Sequence, residues 1–242
     1  MKERISISID KNTLSLIDNK IGKDNIQNRS QAIESLILEH FSTVKQIKAV
    51  ILAGKKPSQE SIKETLKYLE KTGTVELLLA GGKNNEELFT IINTNQFYKK
   101  RTTFLKENKD LGTAGIIKSA EAKINGSFFV IYSDIVYQMN FHELLEHHQR
   151  LKTLGTVSVT IPENKSDLVD NIKVNGNKIT AFKYNSSTPT KIQNAGIFIF
   201  EKEVLNYFPT NGTLEEDVLP QLAADGKLGF YLFDSNWKHK GN

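Results

Sequence analysis

The stretch IKAVILAGKKPSQESIKE, residues 47–64, decides the fold of most of this 242-residue chain. The apolar run at 49–52 is typical of a short strand that is buried on both faces. The pair Ala53-Gly54 marks a turn, and a helical pattern begins almost at once. We therefore predict a strand–loop–helix unit of an α/β protein, around which the other elements are arranged.

Strand-like and helix-like patterns alternate from residue 46 to residue 242, which predicts a layered α/β domain. The predicted strands are 49–52, 75–79, 127–132, 156–160 and 197–200. The predicted helices are 60–71, 86–94, 115–122, 140–151 and 214–224. Asn175-Gly176 lies between two short strand-like runs and predicts a hairpin. The phenylalanines at 128, 129, 198 and 200 fall on predicted strands and are expected in the core.

The composition is that of a soluble globular protein. Hydrophobic residues make up 38% and charged residues 25%, and no apolar run is as long as a membrane span. The first residues lack the apolar core of a signal peptide. With no cysteine, the chain has neither a disulfide nor a thiolate metal site. We therefore expect a cytoplasmic protein with no membrane partner, and the net charge of +4 permits an anionic partner.

Residues 1–45 predict a separate small domain. Residues 4–9 alternate polar and apolar, as in a strand buried on one face. Two amphipathic helices follow, one capped by Asp10 and ended by Gly22, the other capped by Asn28. Because one short strand and two helices offer too little core for a monomer, we predict a homodimer with paired strands.

The order of strand, helix, glycine loop and second helix over residues 2–42 resembles the ribbon-helix-helix DNA-binding family of the Arc and MetJ type. The resemblance implies a two-stranded ribbon in the major groove of double-stranded DNA. The predicted DNA-binding residues are Arg4, Ser6 and Ser8 on the ribbon and Asn28, Arg29 and Ser30 at a helix N-terminus that favours phosphate. The alternative is a dimerisation arm whose outward polar residues are only solvated.

Six segments of residues 46–242 resemble the sugar-phosphate nucleotidyltransferases, the nucleotide-sugar pyrophosphorylases. The segments fall in the order of that family: AVILAG at 49–54, LGTAGIIK at 111–118, FVIYSD at 129–134, NAGIFIF at 194–200, LEEDVLPQL at 214–222, and residues 237–241. The resemblance implies a Rossmann-like layered α/β fold, which here carries a small dimerising ribbon-helix-helix domain at its N-terminus.

Several residues that carry the chemistry of this family are absent. The Gly-Thr-Arg and Pro-Lys elements that hold the triphosphate are missing after Gly54. Asp134 matches the aspartate that binds Mg²⁺, but His239 stands where a second aspartate is expected. Lys183-Tyr184-Asn185 replaces the sugar-side Glu-Lys-Pro motif. We therefore predict a catalytically degenerate domain that is not an efficient enzyme.

A ligand pocket is nevertheless expected to remain. Its predicted residues are Gly54, Leu111, Gly112, Thr113, Asp134, Asn194 and Gly196. Glycine lets a base or sugar approach the backbone closely, and Asn194 could bind a sugar hydroxyl. Asp134 could bind Mg²⁺ or cap the following turn. The alternative for each of these residues is that it maintains the fold.

We predict a homodimeric, sequence-specific transcription regulator whose second domain senses a nucleotide or nucleotide sugar, or serves as an oligomerisation platform. The main alternative is an active sugar-1-phosphate nucleotidyltransferase tethered to a DNA-binding domain. A third possibility is a DNA binder without an effector. The histidines of HELLEHH, residues 142–148, fail both zinc-helix spacings, and we expect a solvated helix there.

Overall fold

The structure, a computed structural model, describes residues 6–22, 26–43, 47–52, 59–72, 76–80, 85–105, 109–136, 139–233 and 238–239. The chain divides into two compact units, residues 1–45 and residues 46–242. The described part of the first unit is helical, whereas the second contains both strands and helices.

The first unit contains the helices α1 (Lys11–Asp18) and α2 (Arg29–Thr43). Ile17, Ile26 and Ala32 are buried between them, and further apolar side chains are partly buried against this group. In the described part of this unit these three residues form a very small core for a single copy.

The ends of α1 agree only in part with the prediction. Asp10 caps the helix as predicted, because its side chain accepts hydrogen bonds from the backbone N–H groups of Asn12 and Thr13. The helix ends at Asp18, however, and not at Gly22. Gly22 has a φ of +87° and donates its N–H to the carbonyl of Ile26, so it serves the connecting turn instead.

The predicted strand at 4–9 does not form in the described part of a single chain. Residues 6–10 adopt no regular structure, and Ile7, expected to face the core, is 55% exposed. Residues 1–5, including Arg4, lie outside the described residues. A lone strand has no hydrogen-bonding partner, and the partner strand that the prediction requires belongs to a second copy.

The second unit is built on one large sheet. Its strands are β1 (Lys48–Leu52), β2 (Glu76–Ala80), β3 (Thr102–Leu105), β4 (Phe128–Tyr132), β6 (Gly155–Thr160), β7 (Asn171–Asn175), β8 (Lys178–Lys183), β9 (Gln193–Phe200) and β10 (Leu228–Leu232). In the described residues these nine strands have the order β3-β2-β1-β4-β9-β6-β10-β8-β7. A separate antiparallel pair joins β5 (Ile135–Val136) to β11 (Lys238–His239). The strands β1 to β4 are parallel, and β9 runs antiparallel between β4 and β6.

Helices cover both faces of this sheet. They are α3 (Gln59–Lys71), α4 (Asn85–Thr94), α5 (Gly112–Ser119), α6 (Phe141–Leu151) and α7 (Leu219–Ala224), and a π-helical turn (Leu214–Val218) precedes α7. Alternate residues of β1 belong to different cores: Val50 packs with residues of α5 and α7, whereas Ile51 packs with residues of α3 and α6. Burial on both faces explains why β1 is almost entirely apolar.

The sequence predicted most of these elements. All five predicted strands and the hairpin between β7 and β8 are present, and the four phenylalanines on β4 and β9 are fully buried. The strands β3 and β10 were not predicted. The expectation of a solvated helix at 142–148 is wrong on one face of α6, because His148 is only 1% exposed.

Among the described residues, no helix is both long enough and apolar enough to span a bilayer. A cytoplasmic location stays a prediction.

Candidate active site

One edge of the large sheet gathers most of the predicted ligand residues of the second unit. Asp134 follows the carboxyl end of β4, and the antiparallel strand β9 begins at the same edge with Gln193 and Asn194. Asn194 pairs with Val159 near the carboxyl end of β6. In open α/β sheets, ligands bind outside the carboxyl ends of the strands, so this edge is the candidate site.

Tyr132, the last residue of β4, lies at the centre of this edge. Its hydroxyl donates a 2.7 Å hydrogen bond to Oε1 of Glu215, in the π-helical turn. Burial raises the pKa of Tyr132 well above its ordinary value, and the negative charges of Glu215 and Asp134 raise it further. Tyr132 is therefore a neutral hydrogen-bond donor that holds Glu215 in place.

The predicted residues Leu111, Gly112 and Thr113 form the start of α5 and pack against the loop before the π-helical turn. Thr113 Oγ1 accepts a 2.9 Å hydrogen bond from the backbone N–H of Leu214. Gly112 has a φ of +70°, and a Cβ there would collide with the carbonyl of Gly212. The fold therefore already requires glycine at 112, and its role as a ligand contact stays a prediction.

Gly196 and Asn194 are also positioned by the fold. Gly196 has a φ of +73°, and a Cβ there would overlap the side chain of Ile135. The Asn194 side chain accepts a 2.9 Å hydrogen bond from the N–H of Gly196 through its Oδ1. Gly196 lies beside Tyr132 and Ile135, Asn194 precedes it by two residues on β9, and ligand binding by both stays a prediction.

Asp170, which the sequence did not single out, lies at the same edge and is only 3% exposed. Its Oδ2 accepts a hydrogen bond of 3.2 Å from the N–H of Asn194. Burial raises the pKa of Asp170 to about 6, and the backbone amides of Asn194 and Asn185 oppose part of that rise. The pKa of Glu215 is raised as well, first by burial and further by the charges of Asp170 and Glu216.

The residues that the sequence missed are Tyr132, Asp170, Tyr184 and Glu215. Glu215 lies in the motif at 214–222 and Tyr184 replaces a family residue, so both had a signal that could have found them. Asp170 had none, because a charged residue just before a hairpin is ordinarily exposed. The other predicted pocket residue, Gly54, lies outside the described residues.

Asp134, the predicted Mg²⁺ ligand, directly follows the carboxyl end of β4. The backbone of His239 pairs with Ile135, so the chain returns beside Asp134 at the predicted point. No group of three or more His, Cys, Asp or Glu side chains in the described part of the chain could hold a metal ion. Mg²⁺ usually takes one or two carboxylates and completes its shell with waters and substrate phosphates, so a single aspartate fits this ion.

The structure describes five of the six residues predicted to contact DNA, and all five lie on the surface of the first unit. Ser6, Ser8 and Ser30 are exposed. Asn28 caps α2 by accepting a 3.0 Å hydrogen bond from the N–H of Gln31. Arg29 makes a bidentate ion pair with Asp18, with N···O distances of 2.7 and 2.9 Å, and the hydrogen bond lowers the pKa of that aspartate. Arg29 thus already ties α2 to α1, and its contact with DNA stays a prediction.

The chain is similar to proteins named as mannose-1-phosphate guanyltransferases. It is 28% identical to the mannose-1-phosphate guanyltransferase of Aspergillus oryzae and 30% identical to that of Yarrowia lipolytica, over 80% of this chain in each case. It spans about half of their length, 55% and 54%. In structure it resembles HddC from Yersinia pseudotuberculosis, with a TM-score of 0.65 and 19% identity over 81% of this chain and 94% of HddC.

These comparisons correct two predictions. The predicted DNA-binding transcription regulator is wrong, because the relatives that match most of the chain are named as enzymes. The predicted absence of enzyme activity is wrong as well, because these relatives are named as enzymes. The comparisons favour the alternative prediction of a sugar-1-phosphate nucleotidyltransferase. The Rossmann-like layered fold is confirmed, whereas the ribbon-helix-helix assignment of residues 1–45 stays a prediction. Because the family model described as nucleotidyl transferase matches residues 39–242, the chain belongs to the nucleotidyl transferase family.

Proposed function

We propose that the protein is a sugar-1-phosphate nucleotidyltransferase. In this reaction a phosphate oxygen of the sugar 1-phosphate attacks the α-phosphorus of a nucleoside triphosphate. The bond to the β-phosphate bridging oxygen breaks, pyrophosphate leaves, and a nucleotide sugar is formed. The observation that carries the proposal is the family match over residues 39–242. The names of the relatives make mannose 1-phosphate and GTP the first substrates to test.

The residues at the candidate site suit the demands of phosphoryl transfer, which needs positioning and charge stabilisation more than covalent chemistry. Asp134 would hold Mg²⁺. When bound, this ion would neutralise the negative charge that develops on the phosphates. Asn194 offers amide groups to a sugar hydroxyl. Tyr132 keeps Glu215 oriented at the edge where these residues meet.

Pyrophosphate release, measured with mannose 1-phosphate and GTP and then with other sugar 1-phosphates and triphosphates, tests the proposal. We expect turnover that requires Mg²⁺ and that falls about a hundredfold in Asp134→Asn. Glu203→Gln, an exposed carboxylate just after the far end of β9, should leave turnover unchanged. If no pair of substrates releases pyrophosphate above the rate without protein, the proposed function is wrong.

The predicted partners of the first unit remain separate proposals. The ribbon-helix-helix assignment of residues 1–45, self-association through the ribbon, and double-stranded DNA as a partner are supported by the sequence pattern and by two capped helices. They do not depend on the proposed reaction.

A further inference from the structure

A buried carboxylate oxygen without a partner lies at the candidate site. Asp170 is 3% exposed, and its Oδ2 accepts a hydrogen bond from Asn194. Its Oδ1 is the one buried side-chain oxygen or nitrogen in the described part of the chain that has no hydrogen-bond partner. Buried polar atoms are nearly always paired. The backbone amide of Asn185 lowers the pKa of this carboxylate, but Oδ1 has no hydrogen-bond partner among the described residues and is able to accept a donor from a ligand.

The position of Asp170 is fixed by its neighbours. The buried side chain of Gln193 accepts hydrogen bonds from the N–H groups of Val169 and Asp170, at 2.8 and 2.7 Å, through its Oε1. Its Nε2 donates a 3.0 Å hydrogen bond to the carbonyl of Asp170. Gln193 is the first residue of β9, so the sheet itself holds Asp170. The unpaired oxygen is therefore a feature of an ordered segment.

The surroundings of Asp170 are acidic and contain neutral donors. Its negative charge raises the pKa of Glu215 and also that of Tyr184, a partly exposed residue just after β8. Among the described groups, no basic side chain contributes to the pKa shift of Asp170 or Glu215. These described groups disfavour a phosphate beside Asp170 and favour an uncharged part of a ligand that donates hydrogen bonds.

Asp170 is connected to the rest of the site by a continuous set of interactions. Its charge acts on Glu215, Glu215 accepts the hydroxyl of Tyr132, and the charge of Asp134 acts on Tyr132. Asp170 and Asp134 thus act on the two members of one hydrogen-bonded pair, Glu215 and Tyr132.

We propose that Asp170 is a specificity-determining residue that accepts a hydrogen bond from a ring hydroxyl of the sugar 1-phosphate through its Oδ1. This inference rests on the proposed function and assigns the sugar end of the substrate to Asp170 and Glu215. A hydrogen bond from a hydroxyl to an ionised carboxylate is strong and directional, and the sugar supplies a donor that Oδ1 lacks among the described residues.

Isothermal titration calorimetry with the 1-phosphates of mannose, glucose and galactose tests the assignment without requiring turnover. We expect at least one to bind, and Asp170→Asn to weaken that binding tenfold or more, because the amide presents no charge. Asp167→Asn makes the same chemical change three residues earlier, in a neighbouring turn, and should bind as the unmodified protein does.

The monodeoxy analogues of the sugar that binds identify the hydroxyl. For the unmodified protein, one analogue should bind tenfold more weakly than its parent sugar. For Asp170→Asn, that analogue and its parent should bind with the same affinity. Each of the other analogues should weaken binding by the same factor in both proteins. Circular dichroism confirms that the variant is folded, and Asp170→Ser replaces it if it is not. Equal losses for every analogue in both proteins would overturn the inference, as would no binding of any of the three sugars.

These results separate the inference from the proposed function. If the effect of removing one hydroxyl depends on Asp170 but no pyrophosphate is released, the sugar site is supported and the proposed reaction is rejected. Pyrophosphate release without that dependence would uphold the reaction and reject the role of Asp170.

Discussion

Asp170 keeps a carboxyl group where burial penalises its charge, and this has a cost in stability. Its pKa rises from 3.8 to about 6, so the folded protein holds the proton more tightly than the unfolded chain does. The group therefore destabilises the protein by up to about 3 kcal/mol at pH 7, and this penalty disappears as the pH falls through 6 towards 4. Among the described groups, Glu215 and Tyr184 interact with Asp170, and Tyr132 and Glu216 interact with Glu215.

Asp170→Asn should therefore stabilise the protein in a way that depends on pH. We expect its free energy of unfolding to exceed that of the unmodified protein by about 2 kcal/mol at pH 7.5, because the buried charge is gone. The difference should shrink to under about 1 kcal/mol at pH 4, where the carboxyl is protonated in the folded state. Urea unfolding of both proteins at several pH values measures it, and a difference that stays constant with pH would contradict the explanation.

The sequence predicted residues with recognisable motifs and missed one whose importance is tertiary. Asp134 and Asn194 follow or begin apolar strands, so their common edge could be inferred from the order of strands. The burial of Asp170 depends on Gln193, which lies on a different strand and approaches it only in the folded sheet. No local pattern in the sequence reports such a contact.

At the scale of elements, a buried polar network joins α6 to three strands at the edge opposite the candidate site. His148 Nδ1 lies 2.7 Å from Thr156 Oγ1, and its Nε2 lies 3.2 Å from Glu201 Oε1. The Ser127 hydroxyl donates to both carboxylate oxygens of Glu201, at 3.0 Å. These bonds satisfy side chains next to the ends of β4, β6 and β9 in a region that is otherwise apolar.

His148→Ala should be strongly destabilising. We expect a loss of about 2–4 kcal/mol in the free energy of unfolding, because the change leaves a cavity and removes the partner of Thr156. His142→Ala is the matched control on the same helix. It loses only an exposed ion pair with Glu146, so its cost should stay under about 0.5 kcal/mol. Chemical denaturation measures both, and similar losses for the two variants would show that the network contributes little.

The sequence predicts an element more easily when its pattern of apolar residues differs clearly from that of the surrounding sequence. The strands β1, β4 and β9 each contain a run of at least four apolar residues because both faces are buried, and such runs are easily found. The missed strand β3 is four residues long and lies at the sheet edge, where only Leu105 is fully buried. The helix predicted at 214–224 is instead a π-helical turn followed by α7, since Pro220 lacks an N–H and fits only a first turn.

At the scale of the whole molecule, the two units differ greatly in the core that each possesses. The second unit has an extensive apolar core on each face of its sheet, whereas the described part of the first buries three residues. Large apolar side chains remain on the surface of the first unit, including Ile7 at 55% and Leu16 at 68% exposure. A second copy would cover them, which is the arrangement that the ribbon prediction requires.

Self-association of the intact protein can be tested with substitutions in residues 4–9, where polar and apolar side chains alternate. In the predicted ribbon Ile7 faces the shared core and Ser8 faces outward, so Ile7→Asp should shift a dimer to monomer and Ser8→Asp should not. Sedimentation velocity over a range of protein concentrations measures both, with a shift of at least about tenfold in the dissociation constant expected for Ile7→Asp. A monomer at every concentration, or equal effects of the two changes, would reject the ribbon.

The small antiparallel pair of β5 and β11 ties the candidate site to the order in which the chain is synthesised. Ile135, directly after Asp134, pairs with His239, which the ribosome adds about a hundred codons later. The core strands β1 to β4 can assemble while that pairing is still impossible, because all their residues precede β5. The pairing directly after Asp134 can therefore form only when nearly the whole chain has been synthesised, long after the residues of β1 to β4 are available.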